Sequence, residues 1–600
     1  MSAESDSETT SGSSSLFDED TVLVAPPTKR RRCVTPLRKG CRNGGSLEYM
    51  ENARRDNLQS GPKNREELYD WPDFLFRRCF QGSDAAHNRM KRVESLYQYG
   101  CILHTDFSGR LVVETIHKML ARSWEKHGLQ LPDSWLSSYR CCENKNALSN
   151  YYLKAKVVEM STQSHKQLLP EHHFECVTKR LPPHYANQIA QMRPSISKKR
   201  KLLCSMPQAV AHFIKMKDFI EENGDAMFTA TASSPTCSFH PGKSCRLRYG
   251  SEDHPQGKRP ISHLVGGSLC TPHTEFSKKS KFADPDPETE TFLLFVEEAA
   301  CGLHDLCTLE NSSCWNIEET FVSRVEEKKR CRVVWARFGS ETGGWPASRF
   351  RGYATAIKEE TLLWIGPQTP QAVQADFEQW FRAAAMVSGS IFAGADTKKN
   401  ISNKRKELAH LNGIFDPKNM HDTLALLKKT EVKNMKAFMK IYKSGTRTCP
   451  LSNTMMVEYT QPPDACSQRC GPWIPTLATA SKVLSMSGDS SQPDMHIMTD
   501  RELDASQGWP TIVPPGCEDL YSDCMPLQFA DMSPNCARHS RGSSMHLYAM
   551  AAWVMYVSGN VIRRDRLLEN IPPVLNVQFE PCAVEENIDR GSDTSPYQVE

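Results

Sequence analysis

Strand-like apolar runs alternate with amphipathic, helix-like segments along much of this 600-residue chain, and this alternation constrains its fold more than any other feature. The apolar run at residues 100–103 precedes an amphipathic segment at 111–124, and a second series of such pairs begins at residue 261. Strands that alternate with helices are typical of an α/β fold, in which helices cover the faces of a sheet. The chain contains no apolar run of about 18 residues, so the sequence predicts no membrane span.

The period of the apolar residues places the individual elements. Strands are predicted at residues 100–103, near 139, and at 261–269, 307–309 and 332–338, with a hairpin or strand pair at 353–365. Helices are predicted at 111–124, 291–306, 318–328 and 545–560. His546, Trp553 and Tyr556 of the last helix are expected to pack against the sheet rather than to take part in chemistry.

The N-terminal 70 residues are rich in Ser, Glu, Arg and Gly and are predicted to be disordered. They contain no apolar core of a signal peptide, so secretion is not expected, and the 22 cysteines are interpreted as reduced thiols or metal ligands. Basic clusters at residues 29–32, 198–201 and 404–406 suggest nuclear import or contact with nucleic acid. A zinc site is one hypothesis for Cys237, His240 and Cys245, which have His254 and His263 nearby. No metal ligand is included among the predicted site residues.

Three polar motifs follow predicted strands at regular spacing. A Gly-Gly-x-x-Cys loop ends at Cys270, and Glu310 and Asn311 follow the next strand. Arg349 and Arg351 then form an Arg-x-Arg pair, whose side chains would point the same way on an extended segment. A thiolate at the end of a strand can reach a ligand in the crevice there, and a carboxyl group nearby can donate a proton or bind a base edge.

The order and spacing of these motifs resemble those of the cytosine-C5 DNA methyltransferase family, including the divergent members of dinoflagellates. The resemblance covers roughly residues 95–560. Phe107, Ser108 and Gly109 resemble the family's first cofactor loop, and Glu143 resembles the acidic residue that binds the cofactor ribose. Residues 498–510 are similar to a conserved segment of the family, and Ser543 lies where the family has a Gly-Asn loop before its last helix.

This resemblance implies a Rossmann-like sheet that binds S-adenosylmethionine, with a smaller target-recognition lobe. A cytosine would be flipped out of DNA, Cys270 would attack its C6, and Glu310 with Asn311 would stabilise the ring. Arg349 or Arg351 would orient the pocket. DNA is therefore the expected partner, RNA is a second candidate, protein partners are expected through the N-terminal tail, and the nucleus is the expected location.

The same resemblance implies a domain layout. Residues 1–70 are a tail, and residues 71–366 form the catalytic domain with a Cys/His-rich insertion near 155–260. Residues 367–495 form the target-recognition region, which includes a lysine-rich segment at 398–447 suited to phosphate contacts. Residues 496–565 return to the catalytic domain, and 566–600 form a second tail.

Departures from the family's pattern keep three hypotheses open. Arg110 and Leu111 follow the first cofactor loop in place of glycines, and Leu269 precedes Cys270 in place of proline. The chain is then an active DNA cytosine-5 methyltransferase, a catalytically degenerate homologue that binds DNA or a partner enzyme, or an RNA cytosine-5 methyltransferase. The fold does not separate these hypotheses.

Overall fold

The structure of the chain is a computed structural model. It describes residues 58–106, 112–132, 136–141, 171–174, 176–193, 206–229, 232–246, 258–267, 287–414, 422–445, 447–449, 452–463, 470–477, 481–514, 541–542 and 544–566.

The described strands are numbered in chain order. They are β1 (Cys101–Asp106), β2 (Leu136–Cys141), β3 (His172–Phe174), β4 (Ser233–Ser234), β5 (Cys245–Arg246), β6 (Ile261–Gly267), β7 (Leu306–Ser312), β8 (Cys331–Phe338), β9 (Arg351–Lys358), β10 (Leu362–Trp364), β11 (Met455–Glu458), β12 (Cys470–Gly471), β13 (Val483–Ser487), β14 (Asp494–Ile497) and β15 (Val561–Arg563).

The described α-helices are numbered in the same way. They are α1 (Arg65–Tyr69), α2 (Trp71–Phe80), α3 (Asp84–Tyr97), α4 (Val112–Lys126), α5 (Val177–Arg180), α6 (Pro183–Met192), α7 (Met206–Met227), α8 (Pro287–Ala300), α9 (Ser323–Glu327), α10 (Pro370–Phe381), α11 (Lys398–Leu411), α12 (Lys429–Lys443), α13 (Asp500–Ser506) and α14 (Leu547–Gly559). Across the described residues, none of the helices combines the length and the apolar character needed to span a membrane.

A seven-stranded sheet forms the centre of the larger lobe, in the order β3-β2-β1-β6-β7-β9-β8. All neighbouring strands are parallel except β9, which runs antiparallel to both β7 and β8. Strands β1 and β6 are buried along their whole length, as expected for parallel strands covered on both faces. The predicted α/β, Rossmann-like fold class is confirmed, and the predicted strands at 100–103, 261–269, 307–309 and 332–338 lie within or overlap β1, β6, β7 and β8.

The two strands predicted at 353–365 are present, but they do not pair with each other. Residues 353–365 do not form a hairpin, because β9 pairs with β7 and β8 while β10 pairs antiparallel with β15 near the end of the described chain. Leu362 lies opposite Arg563, some 200 residues later. Strand β15 directly follows helix α14, and it pairs with β10 in a separate two-stranded sheet. The partner of β10 was therefore decided by tertiary packing.

The two faces of the central sheet are covered by different helices. Helix α4 follows β1 and packs into one core through residues such as Ile116 and Leu120. Helix α8 follows β6 and packs into the core on the opposite face through Phe295 and Ala299. Because β1 and β6 are neighbours whose helices cover opposite faces, their carboxyl ends are the place where sheets of this kind form a ligand-binding crevice.

A row of buried hydrogen bonds crosses the sheet and reaches the last helix. His263 Nε2 lies 2.9 Å from Thr308 Oγ1, and Thr308 Oγ1 lies 2.9 Å from Thr355 Oγ1. The indole Nε1 of Trp553 donates to Thr355 Oγ1 at 2.9 Å. Trp553 is fully buried, as are His546 and Tyr556, so the expected packing role of these residues agrees with the structure. Burial lowers the pKa of His546 to about 3, which keeps this ring neutral.

The smaller lobe has its own sheet and core. Its strands pair antiparallel in the order β12-β11-β13-β14. Helices α11 and α12 pack against this sheet and share an apolar core with it, which includes Leu408, Phe438, Tyr442, Val457 and Leu484. A smaller second lobe was predicted from the resemblance, and the structure contains one.

Gly266 in β6 is needed for packing, because a Cβ atom at this position would overlap the ring of Phe295 on α8. We expect Gly266→Ala to lower the free energy of unfolding by about 1–3 kcal/mol, the usual cost of overpacking a core. Denaturant titration of the purified chain measures this loss. Phe295→Leu should relieve part of it in the double variant, since the two residues are in contact. Strictly additive losses would contradict the predicted overlap.

Candidate functional site

The carboxyl ends of β1, β6 and β7 form one edge of the central sheet, beside the crevice. Asp106 at the end of β1 pairs in register with Gly266, and Gly267 at the end of β6 pairs with Glu310 in β7. Cys270, which comes three positions after Gly267 in the sequence, lies outside the described residues. The described part of β6 therefore ends next to Glu310.

Glu310 is buried and faces a charged partner. Its side chain is 6% exposed, and its Oε1 atom lies 3.1 Å from Nε of Arg351, the first residue of β9. This Oε1 atom has no hydrogen-bond partner within the described part of the chain, so the two charges attract without an aligned N–H···O bond. A buried carboxylate with unused acceptor capacity is suited to bind a donor on a ligand.

Two further polar side chains of this region were missed by the sequence reasoning. Tyr353 lies opposite Glu310 in the β7–β9 ladder; burial raises the pKa of its hydroxyl, which has no hydrogen-bond partner among the described residues. Glu341 precedes the Arg-x-Arg motif, and its Oε2 accepts the N–H of Arg349 at 3.2 Å. Loss of solvent raises the pKa of Glu341 to about 7. Strand alternation from Arg351 could have indicated Tyr353, but no sequence signal marks Glu341.

Arg349 and Arg351 do not bind the same group, in contrast to the expectation from their spacing. Arg351 opens β9 and faces Glu310, whereas Arg349 lies in the loop before the strand. The guanidinium of Arg349 donates to the carbonyl oxygen of Leu477 at 3.3 Å and to that of Ser544 at 2.5 Å. Arg349 thus joins the loop after β12 to the segment that opens α14, and its guanidinium is not directed at Glu310.

Asn311 makes a local contact. Its Oδ1 atom accepts the backbone N–H of Ser312 at 2.7 Å, and its side chain is buried. Successive residues of a strand point to opposite faces, so Asn311 does not share the direction of Glu310.

The predicted cofactor residues Phe107, Ser108, Gly109, Glu143 and Ser543 lie outside the described residues. What the structure does describe is a buried ionic network at the end of β1. The guanidinium of Arg180 on α5 binds Asp106 at 3.1 Å and also binds Glu298 on α8. All three side chains are at most 1% exposed.

His304 extends this network toward the start of β6. Its Nε2 atom lies 3.2 Å from Glu298, and its Nδ1 atom lies 2.7 Å from the hydroxyl of Ser262 on β6. The network therefore fixes the end of β1 to the helix that follows the Cys270 loop. Glutamates inside the apolar sequence of α8 were a sequence signal for it, since charged residues are rarely buried unless they are paired.

The segment at 498–510 supports the junction of the two lobes. Thr499 and Glu502 form a capping box that begins α13. At its other end, the carbonyl oxygen of Ser506 accepts the indole N–H of Trp345 at 2.7 Å, and Trp345 belongs to the same loop as Arg349.

A basic face lies on the smaller lobe. Helix α12 buries Met435, Phe438 and Tyr442 against the lobe's core. Its opposite face exposes lysines at helical spacing, namely Lys429, Lys433, Lys436, Lys440 and Lys443. Of the predicted lysine cluster, Lys404 is instead held in ion pairs with Glu407 and Asp500.

Comparison with known proteins gives only distant similarities. No protein-family model matches the chain, and no curated protein matches its sequence. Among solved structures, a Spodoptera frugiperda DNMT2 variant shares 10% identity with a TM-score of 0.31, covering 76% of this chain and 99% of that one. Entamoeba histolytica methyltransferase EhMeth shares 10% identity with a TM-score of 0.35, covering 76% and 98%. S. pombe Dnmt2 shares 11% identity with a TM-score of 0.31, also covering 76% and 98%. Similarities at these TM-scores do not assign a function, which has to be argued from the site itself.

Proposed function

We propose that this chain is an S-adenosylmethionine-dependent DNA cytosine-C5 methyltransferase. The observation that carries this proposal is the register at the sheet edge. In this register β6 ends beside Glu310, which is buried and paired with Arg351. Cys270 comes three residues after the end of β6 in the sequence. The carboxylate and the guanidinium of two motifs meet at this edge, and the third motif, with the thiol of Cys270, follows β6 in the sequence in the family's order.

We place the cofactor at the carboxyl ends of β1 and β6. In open α/β sheets, ligands bind where neighbouring strands send their helices to opposite faces, and these two strands do so. Phe107, Ser108 and Gly109 directly follow β1, and Glu143 follows two residues after β2, so these residues would hold the cofactor at that edge. Ser543, shortly before α14, would complete the pocket. S-adenosylmethionine supplies an electrophilic methyl group.

The chain's own residues would carry the rest of the reaction. The Cys270 thiolate adds to C6 of a flipped cytosine, which leaves electron density at C5 to accept the methyl group. Glu310 binds the N3 and amino edge of the base and stabilises the charge that develops there. Arg351 holds the carboxylate of Glu310 in place, and loss of the C5 proton to solvent expels the thiolate. Arg349 acts as a positioning residue between the lobes, and Asn311 supports the end of β7.

DNA is the substrate we favour, with the exposed lysines of α12 as its phosphate contacts. We assign catalysis to residues 71–366 and 496–565, with the Cys/His-rich segment near 155–260 as an insertion. Residues 367–495 are assigned to target recognition. The basic cluster at 29–32 supports nuclear import, the tail at 1–70 is assigned to protein partners, and residues 566–600 are assigned as a second tail.

Two measurements on the full chain test this proposal. Calorimetric titration with S-adenosylhomocysteine should give binding that Glu143→Ala weakens. Incubation with DNA that contains 5-fluorocytosine and with S-adenosylmethionine should give a covalent complex that survives denaturation, because fluorine at C5 blocks the final elimination. Cys270→Ser, which removes the thiol and little else, should give no complex.

The other outcomes assign the chain to the alternatives. A complex on fluorocytosine RNA but not on DNA would identify an RNA cytosine-5 methyltransferase. DNA binding without cofactor binding at millimolar ligand would identify a degenerate homologue that acts as a regulator. Either result would contradict the proposed activity on DNA.

A further inference from the structure

Four metal-binding side chains meet at the edge of the central sheet, away from the residues assigned to methyl transfer. They are His172 on β3, Cys237 and His240 in the turn after β4, and Cys245 on β5. One potential ligand atom from each residue lies within 4.8 Å of those of the other three. The sequence indicated three of these residues, and the fourth, His172, lies 65 positions before Cys237.

Three of the six distances between these atoms fit a tetrahedral zinc site. Cys237 Sγ lies 3.8 Å from His172 Nδ1 and 3.5 Å from His240 Nδ1, and Cys245 Sγ lies 3.6 Å from His240 Nδ1. With Zn–S bonds of about 2.3 Å and Zn–N bonds of about 2.0–2.1 Å, a tetrahedral ion sets its sulfur and nitrogen ligands about 3.6 Å apart. The three measured separations bracket this value.

The backbone holds the ligands in this arrangement. Strands β4 and β5 pair antiparallel, with Ser234 opposite Cys245. A separate bridge joins Cys237 to Phe174 on β3, and the N–H of Ser238 donates to the carbonyl oxygen of His173 at 2.8 Å. The hairpin is therefore attached to the same short strand that carries His172.

Local interactions alone give this hairpin little stability. Strands β4 and β5 have two residues each, and a two-stranded hairpin is marginal in water. Cys237 and Cys245 are buried but remain free thiols rather than a disulfide. Buried sulfur and imidazole groups that converge in this way are better satisfied by a metal ion than by weak S–H hydrogen bonds.

The other two histidines considered from the sequence do not complete the set. His263 lies in β6, where its Nε2 atom is hydrogen bonded to Thr308, and His254 lies outside the described residues.

We propose that His172, Cys237, His240 and Cys245 bind one zinc ion, which fastens the hairpin at residues 233–246 to the edge strand β3. Four protein ligands close a tetrahedral site, so the ion has a structural role and leaves no position for substrate. Two thiolates and two imidazoles are also the donors that Zn²⁺ prefers over magnesium or calcium. This proposal does not depend on the proposed methyl transfer.

The test measures metal on the full chain, purified under reducing conditions without added chelator. Elemental analysis should find one zinc ion per chain, and replacement by Co²⁺ should give the visible bands of tetrahedral cobalt with thiolate charge transfer. The double variant Cys237→Ser/Cys245→Ser should lose both signals. Cys176→Ser is the matched control, because this cysteine precedes α5 in the same region and is not among the four, and it should retain both signals.

A second variant keeps the test decisive if the double variant fails to fold. His240→Cys retains four ligands but adds a third thiolate, so its cobalt charge-transfer band should increase in proportion. His172→Ala should weaken zinc binding and expose the hairpin at 233–246 to proteolysis, and excess zinc should partly reverse this effect. Zinc-free wild-type protein with no tetrahedral cobalt spectrum would overturn the proposal, as would a Cys237–Cys245 disulfide in the reduced preparation.

Discussion

Glu310→Gln is expected to lower the rate of methyl transfer to cytosine about 10²–10³-fold, the usual effect of removing one group that stabilises charge in a transition state. Glutamine has nearly the same volume as glutamate, so the packing of β7 is kept. It removes the negative charge, and Arg351 then loses the group it faces at 3.1 Å. Single-turnover kinetics with saturating DNA and S-adenosylmethionine measure this rate directly.

The matched control for this variant is Glu431→Gln. Glu431 is also buried and is paired with a cation, since Lys482 Nζ lies 2.8 Å from its carboxylate, but it belongs to the smaller lobe. It should leave the rate within a few-fold of wild type. Both variants should bind S-adenosylhomocysteine normally. A Glu310→Gln rate close to that of the control would mean that Glu310 only balances the charge of Arg351.

Arg180→Met is expected to lower the free energy of unfolding by about 3–5 kcal/mol, the cost of leaving buried charges without their partner. Arg180 is the cation between Asp106 and Glu298, and all three side chains are at most 1% exposed. Methionine fills most of the space but cannot compensate two carboxylates. Urea denaturation monitored by tryptophan fluorescence measures the loss.

Two further variants separate the charge effect from a packing effect. Lys217→Met removes a surface ion pair with Glu221, whose atoms lie 2.9 Å apart, and should cost no more than about 1 kcal/mol. Adding Glu298→Gln to Arg180→Met removes one of the uncompensated charges and should recover part of the lost stability. If the double variant is less stable than Arg180→Met alone, the loss arises from packing and the charge argument is wrong.

The Arg180 network contributes to the stability of the fold and also holds two elements that flank the candidate site. It anchors the end of β1, which precedes the predicted cofactor loop, and the helix that follows the Cys270 segment. Loosening it should therefore affect both segments at once. Reduced affinity for S-adenosylhomocysteine in Arg180→Met, under conditions where the chain is still folded, is the expected consequence.

The sequence by itself determined the elements that depend on short-range patterns. Buried parallel strands are continuous apolar runs, and amphipathic helices repeat their apolar residues every three or four positions, so β1, β6, β7, β8 and the helix α4 could be predicted. The order of Gly-Gly-x-x-Cys, Glu310 and the Arg-x-Arg motif also indicated which strand ends carry polar side chains. The ends of β6 and β7 share one sheet edge because these two strands are parallel, and the start of β9 lies at the same edge because β9 is antiparallel to β7.

Only the tertiary structure decided which distant residues meet. The partner of β10 is β15, the fourth side chain of the proposed zinc site is His172, and the cation that balances Asp106 is Arg180. It also separated Arg349 from Arg351, because strand pairing begins between them. Local sequence sets the conformation of each segment, whereas these contacts join residues tens to hundreds of positions apart. They are selected by burial of apolar surface and by the need to pair every buried charge, which no local pattern encodes.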